Sequence, residues 1–404
     1  MPTIPLNEIQ QARLRISPYI RKTPFLEMEE LSRRTDRKVF AKCEILQFTG
    51  SFKIRGAANC ILSNLEQAKR SGVVAASAGN YAQGVAAVCH QLGIRATIVM
   101  PTGTPGIKVQ NTARWGAEIV LTGNVYDDSF EHAVDLSKKK GLLIIHPFHD
   151  PLIMAGQGTL GLELTEEPGF KDIEAFVFSV GGGGLISGCG SAIRALNPKA
   201  KVYGVTAKNA PATCRSFHEN KAIEIDVKYT LAEGVAPKRT DDYMLGYLKS
   251  TVNDMLSIGE DSIAHAVSYL AEHSKLVVEG AGALPVAALL DDMIPERKVA
   301  LVLSGGNIDL PALGHVLQRG LVEQGRLSRL IIRLSDRPGA LHQITEILAG
   351  NGANIQQVFH QRTTLSAGIG EVAVEVEMET KGREHTHQIV DAFKAKGFQV
   401  NQIH

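Results

Sequence analysis

From residue 73 onward, short apolar runs alternate with helical patterns, and this alternation restricts the chain more than any other feature. Runs at 73–76, 96–100, 118–121, 142–145 and 176–180 are separated by helical stretches at 81–92, 107–115, 126–140 and about 156–164. Further runs at 202–205 and 299–303 are flanked by helical patterns in the same way. Such an order implies right-handed crossovers and a mostly parallel, doubly wound α/β sheet, in which ligands bind beyond the carboxyl ends of the strands. Near residue 325 the pattern changes to strand 329–334, helix 340–349, strands 354–361 and 371–378, helix 385–394 and strand 398–402. That order, βαββαβ, is ferredoxin-like.

A chain of 404 residues is roughly two to three times the length of one domain, which agrees with a division into at least two. Forty-three Lys plus Arg against 42 Asp plus Glu leave a net charge of +1, so no electrostatic footprint for nucleic acid or an anionic membrane is present. No apolar run reaches the length of a membrane span and residues 1–11 lack the features of a secretory signal, so a cytoplasmic protein is expected. Cys43, Cys60, Cys89, Cys189 and Cys214 are scattered, with no CxxC pair, which argues against a disulfide scaffold or a cysteine zinc site. Small-molecule partners remain.

Four constellations lie where such a sheet binds ligands. Lys53, in Ser51-Phe52-Lys53-Ile54-Arg55-Gly56, precedes a helical stretch at 57–69. A lysine desolvated near a helix N-terminus has a lowered pKa and favours Schiff-base chemistry, although an isolated lysine is more commonly a surface residue. Gly181-Gly182-Gly183-Gly184-Leu185 joins a strand to a helix and reads as a phosphate cup, in which glycine backbone and helix N-terminus present N–H donors. It matches neither GxxxxGK[ST] nor GxGxxG. Ser77-Ala78-Gly79-Asn80 and Ser304-Gly305-Gly306-Asn307 each place a hydroxyl and backbone donors at a strand end. Together these suit a phosphorylated carbonyl cofactor. His146 and His149 lack a third ligand, so no metal is expected.

With these residues in place, the chain resembles the threonine dehydratases (threonine ammonia-lyases) of the pyridoxal-phosphate fold-type II group, related to tryptophan synthase β and serine racemase. The resemblance spans about 5–320 and is carried by Ser51-Phe52-Lys53, Ser77 to Gly84, Ala155-Gly156-Gln157-Gly158-Thr159, Gly181 to Leu185, Glu279-Gly280-Ala281-Gly282-Ala283 and Leu303 to Asn307. Residues 327–404 resemble an ACT regulatory domain through Asp336-Arg337-Pro338-Gly339-Ala340-Leu341 and Gly352-Ala353-Asn354-Ile355. The resemblance implies a catalytic domain over 1–320 with two subdomains, the smaller at about 45–150, followed by the ACT domain at 327–404.

The resemblance also implies roles. Lys53 would hold pyridoxal 5'-phosphate as a Schiff base and later abstract the α-proton. Phe52 would pack by the ring, Asn80 would hydrogen-bond its 3-hydroxyl, and Ser304 would meet its nitrogen. Gly181, Gly182, Gly183, Gly184 and Leu185 would bind the phosphate. Ser77, Ala78, Gly79 and Asn80 would hold the substrate carboxylate, and Glu279 would line the pocket. Two departures stand out: Tyr81 replaces the family's usual histidine, and Ala78 replaces the serine of the racemases, which disfavours racemisation. The acidic pair that ligates a divalent ion in the racemases falls at Thr206 and Ala212, so no metal is expected there. The implied activity is β-elimination of L-threonine to 2-oxobutanoate and ammonia, with L-serine as a second substrate. The alternative is a serine or hydroxyaspartate dehydratase. Gly352, Ala353 and Asn354 would form an effector site for isoleucine or valine in a homodimer or homotetramer.

Overall fold

The alternation folds into two separate parallel sheets. The computed structural model describes residues 2–361 and 370–403. In chain order the strands of the first part are β1 (Phe25–Glu27), β2 (Lys38–Cys43), β3 (Val73–Ala76), β4 (Ala96–Met100), β5 (Glu118–Leu121), β6 (Leu143–Ile144), β7 (Ala175–Ser179), β8 (Lys201–Ala207), β9 (Asp254–Ile258) and β10 (Lys298–Leu303). A small sheet, ordered β5-β4-β3-β6, is wholly parallel. A larger one, ordered β1-β2-β10-β7-β8-β9, is parallel except for β1 at its edge. The chain therefore leaves the large sheet after β2, builds the small sheet, and returns at β7.

Every residue of β3, β4 and β7 is buried, as expected for parallel strands covered by helices on both faces. The structure adds strands β1, β2 and β9 to those read from periodicity. In β2 the apolar run is interrupted by Lys42, which is completely buried all the same. The helix expected over 57–69 is two helices, Lys53–Ser63 and Leu65–Ser71, parted at Asn64, whose φ of −120° and ψ of 32° are non-helical. The first begins at Lys53 itself.

That helix is anchored by a buried ion quartet. The Arg55 guanidinium donates to Glu44 Oε2 and Oε1 (2.8 Å each) and to Glu163 Oε1 and Oε2 (2.6 and 3.0 Å), while Lys42 Nζ lies 2.7 Å from Glu163 Oε2. Lys42 also donates to the Thr23 carbonyl at 2.7 Å. Two cations and two carboxylates balance, which is what allows them to be buried. Burial pushes the Glu163 carboxyl up, but Arg55 and Lys42 outweigh it and hold it below its ordinary value. Around the quartet, helices Lys53–Ser63, Pro151–Thr165 and Gly184–Leu196 pack backbone to backbone. A Cβ on Gly156 would lie 2.6 Å from the Arg55 carbonyl oxygen, and one on Gly188 would overlap the Met154 carbonyl.

The chain divides into two compact units, Met1–Ile308 and Asp309–His404, so the helix Leu310–Glu323 groups with the second. There β11 (Leu327–Ser335), β12 (Asn354–Gln361), β13 (Glu371–Glu379) and β14 (Gln399–Ile403) form an antiparallel sheet ordered β12-β13-β11-β14. Helices Ala340–Gly350 and Arg383–Ala395 complete the βαββαβ order. Ser328, Leu330, Ile332 and Leu334 of β11 are buried while their neighbours are not, the alternation of a sheet covered on one face. Among the described residues, no helix is long and apolar enough to cross a membrane.

Candidate active site

The ends of β3, β7 and β10 and the start of the Lys53 helix converge on one cavity of about 660 Å³. Phe52, Lys53, Ser77, Gly79, Asn80, Gly181, Gly182, Gly183, Gly184, Leu185, Glu279 and Ser304 all line it. Ala78 does not line it, since its side chain packs on the hydrophobic core of the small sheet. Lys53 is set beside Ser304 by main-chain pairing: Phe52 N–H donates to the Ser304 carbonyl (3.1 Å) and Gly306 N–H to that of Gly50 (2.9 Å).

The Lys53 amine has no hydrogen-bond partner among the described residues, and Nζ stands 5.1 Å from the centre of the Phe52 ring. Desolvation lowers its pKa to about 8, with the Glu279 carboxylate pulling in the opposite direction. Glu279, at the N-terminus of helix Gly280–Leu290, is pushed up by burial, against a hydrogen bond from Asn80 and the charge of Lys53. Asn80 Nδ2 donates to Glu279 Oε1 at 2.8 Å. Asn307 Nδ2 in turn donates to Asn80 Oδ1 (2.7 Å) and to the Thr49 carbonyl (2.8 Å). Sequence reasoning gave Asn307 no role of its own, although its place after Ser304-Gly305-Gly306 at a strand end was the available signal.

The glycine cup closes tightly. A Cβ on Gly181 would come 2.9 Å from Val235 Cα, and one on Gly182 would come 2.7 Å from the Phe148 ring. Helix Gly184–Leu196 begins in the cup, where its first N–H groups lack intrahelical acceptors. Phe148 explains the segment of the two histidines. His149 Nδ1 is 2.6 Å from Asp241 Oδ2, and His146 Nδ1 accepts from the His149 N–H at 3.0 Å. Burial brings His146 down to about 4, so it is neutral. Tyr81 donates its hydroxyl to the His146 carbonyl at 2.8 Å, so that group is spent on the Phe148 segment. At the rim, Lys108 Nζ pairs with Glu233 Oε2 at 2.7 Å. Among the described residues no group of three or more His, Cys, Asp or Glu is gathered for a metal.

A free, desolvated amine, a cup too narrow for any side chain but lined with N–H donors, and a buried hydroxyl at Ser304 fit a phosphorylated pyridine aldehyde held through lysine. The comparisons agree with that class. The profile of the family described as "Pyridoxal-phosphate dependent enzyme" matches residues 16–305, and that of the ACT domain matches 328–395. The chain belongs to the pyridoxal-phosphate dependent enzymes, and its cofactor is pyridoxal phosphate. It is 42% identical over 401 residues to an L-threonine ammonia-lyase of Thermotoga maritima, covering 99% of this chain and 100% of that one. An L-threonine ammonia-lyase of Geobacter sulfurreducens is 40% identical over 402 residues, covering 99% and 100%. The crystal structure of a threonine deaminase from T.th. superposes with a TM-score of 0.72 at 37% identity, over 76% of this chain and 99% of that one. Maize serine racemase superposes at 0.74 with 31% identity, over 80% and 99%.

The tight cup makes a test. Gly182→Val, which drives a side chain into Phe148, is expected to weaken pyridoxal phosphate binding at least about tenfold in a spectroscopic titration. Undiminished affinity counts against the cup.

Proposed function

We propose that the protein is an L-threonine ammonia-lyase that converts L-threonine to 2-oxobutanoate and ammonia, with L-serine as a slower substrate. The observation that carries this reading is the Lys53 amine, desolvated and without a hydrogen-bond partner opposite the glycine cup, in a chain matched end to end by relatives bearing that name. Bound in the cavity, pyridoxal phosphate supplies an electron-withdrawing system that acidifies the hydrogen on the substrate's α-carbon. The cup residues Gly181 to Leu185 hold its phosphate through backbone N–H groups. Phe52 packs by the ring, Asn80 meets its hydroxyl, and Ser304 meets its nitrogen without imposing a charge. The turn Ser77, Gly79, Asn80 orients the substrate carboxylate, Ser77 through its hydroxyl because its N–H donates to the Val99 carbonyl at 3.1 Å, while Ala78 stands outside the cavity lining and Glu279 bounds the pocket. Lys53 Nζ, which desolvation holds below the ordinary lysine range, is the base that takes the α-proton. Ala78 offers no hydroxyl to the opposite face, which favours elimination over racemisation.

The ACT domain supports control by an amino acid, isoleucine or valine, at the turn Gly352, Ala353, Asn354. Gly352 has φ +71° there, and Asn354 Nδ2 donates to Glu379 Oε2 at 3.0 Å. Pairing of such domains fits a homodimer or homotetramer, and five unpaired, buried thiols suit the reducing cytoplasm. The test is 2-oxoacid release by the full chain on L-threonine, L-serine and hydroxyaspartate, each with and without isoleucine or valine. A higher kcat/KM on threonine, altered by one of the two effectors, is expected. Preference for serine or hydroxyaspartate moves the assignment to those substrates, and indifference to both effectors removes the proposed regulation.

A further inference from the structure

The hydrogen-bond chain from Thr49 to Glu279 has a direction, set at both ends. Thr49 presents a main-chain carbonyl, which only accepts, so the Asn307 atom 2.8 Å away is the amide nitrogen. The same nitrogen lies 2.7 Å from the Asn80 side chain, which therefore offers its oxygen there. The Asn80 nitrogen is left for the carboxylate of Glu279, 2.8 Å away. Two glycines leave room for this arrangement. A Cβ on Gly50, where φ is +71°, would come 2.5 Å from Asn307 Oδ1, and one on Gly305 would come 3.1 Å from Asn80 Nδ2 and press on the Glu279 carboxylate. These hydrogen bonds also join the two sheets: Asn80 opens a helix that packs on the small sheet, whereas Asn307 follows β10 of the large one.

We propose that Asn307 is a positioning residue that fixes the rotation of the Asn80 amide, so that Asn80 presents an N–H to Glu279 and to the cofactor side of the cavity. Freed from Asn307, the Asn80 amide has two orientations of similar shape, one of which turns its oxygen toward a carboxylate. The other charged groups that bear on Glu279 are Lys53, Lys108 and Glu233, and none of them is altered in the variants below. The inference rests on the proposed place of Asn80 against the cofactor.

The experiment is a titration of pyridoxal phosphate into the full-length apoprotein, followed by visible absorption. Asn307→Asp removes the donor, and affinity is expected to fall at least about tenfold. Glu279→Gln adds an N–H that faces a rotated Asn80 oxygen, so Asn307→Asp with Glu279→Gln is expected to bind at least about threefold more tightly than the sum of the two single losses allows. Additive losses, or wild-type affinity in Asn307→Asp, overturn the proposal. Should Asn307→Asp not fold, Asn307→Leu, of similar size and without a donor, is expected to show the same tenfold loss at an unchanged thermal midpoint. Unchanged affinity in that variant overturns the proposal equally. Failure of the unsubstituted chain to take up pyridoxal phosphate would instead overturn the reading of the site on which it rests.

Discussion

Lys53→Ala is expected to abolish both the visible band that pyridoxal phosphate takes on when bound and the release of 2-oxoacid, the latter by at least roughly 10⁴-fold. Neither the Phe52 ring, 5.1 Å from the amine, nor the Glu279 carboxylate, whose charge the amine feels, can form a Schiff base in its place. The same lysine carries a pH signature. Burial disfavours the ammonium form, so its pKa falls to about 8, below the ordinary 10.5, and the reactive neutral amine accumulates as pH rises through 8. The rate at which the apoprotein captures pyridoxal phosphate is therefore expected to climb between pH 7 and 9 and then level off. A rate still rising steeply at pH 10 would show that the amine is solvated like a surface lysine. Stopped-flow absorption measures both.

Arg55→Met is expected to cost roughly 3–5 kcal/mol of stability at neutral pH, because it leaves Glu44 and Glu163 in the interior with Lys42 as the remaining cation of the quartet. The sign of the pH dependence follows from Glu163, whose carboxyl the cations hold below its ordinary value of 4.5. In the native protein the stabilisation it contributes is present above that value and is lost as pH falls through the depressed one. In the variant Glu163 loses the charge of Arg55 and takes up a proton more readily, so the gap between the two proteins is expected to narrow as pH drops toward 4.5. Denaturant unfolding at pH 7 and pH 4.5 checks both. A loss below about 1 kcal/mol at pH 7 would mean that the interior reorganises around the vacancy.

The core strands of both parallel sheets were legible in the sequence because two-sided burial writes uninterrupted apolar runs, as in Val73-Val74-Ala75-Ala76. β2 was not, because Lys42 interrupts the run, and only its partner Glu163, far along the chain, makes that burial tolerable. The cavity lining was legible where glycine follows a strand end, as at Ser77 to Asn80, in the cup and at Ser304, and at Lys53 from its place at the start of a helix. Asn307 escaped assignment because its orientation depends on a carbonyl 258 residues away, at Thr49. Phe148 was hidden between two histidines that drew attention to metal chemistry, and the break at Asn64 has no strong sequence signal in its surroundings.

Ala155-Gly156-Gln157-Gly158-Thr159 takes a different meaning from its position. A Cβ on Gly156 would collide with the Arg55 carbonyl, one on Gly158 would crowd the Gly188 carbonyl, and Thr159 donates to the Gly156 carbonyl while accepting from Arg55. Of the five residues only Gln157 touches the cavity. A signature drawn from this stretch therefore reports how the helices are welded more than which bond is broken. A serine racemase and a threonine deaminase superpose on this chain almost equally well, with TM-scores of 0.74 and 0.72. Selectivity is left to the side chains around the cavity, to which this stretch contributes Gln157.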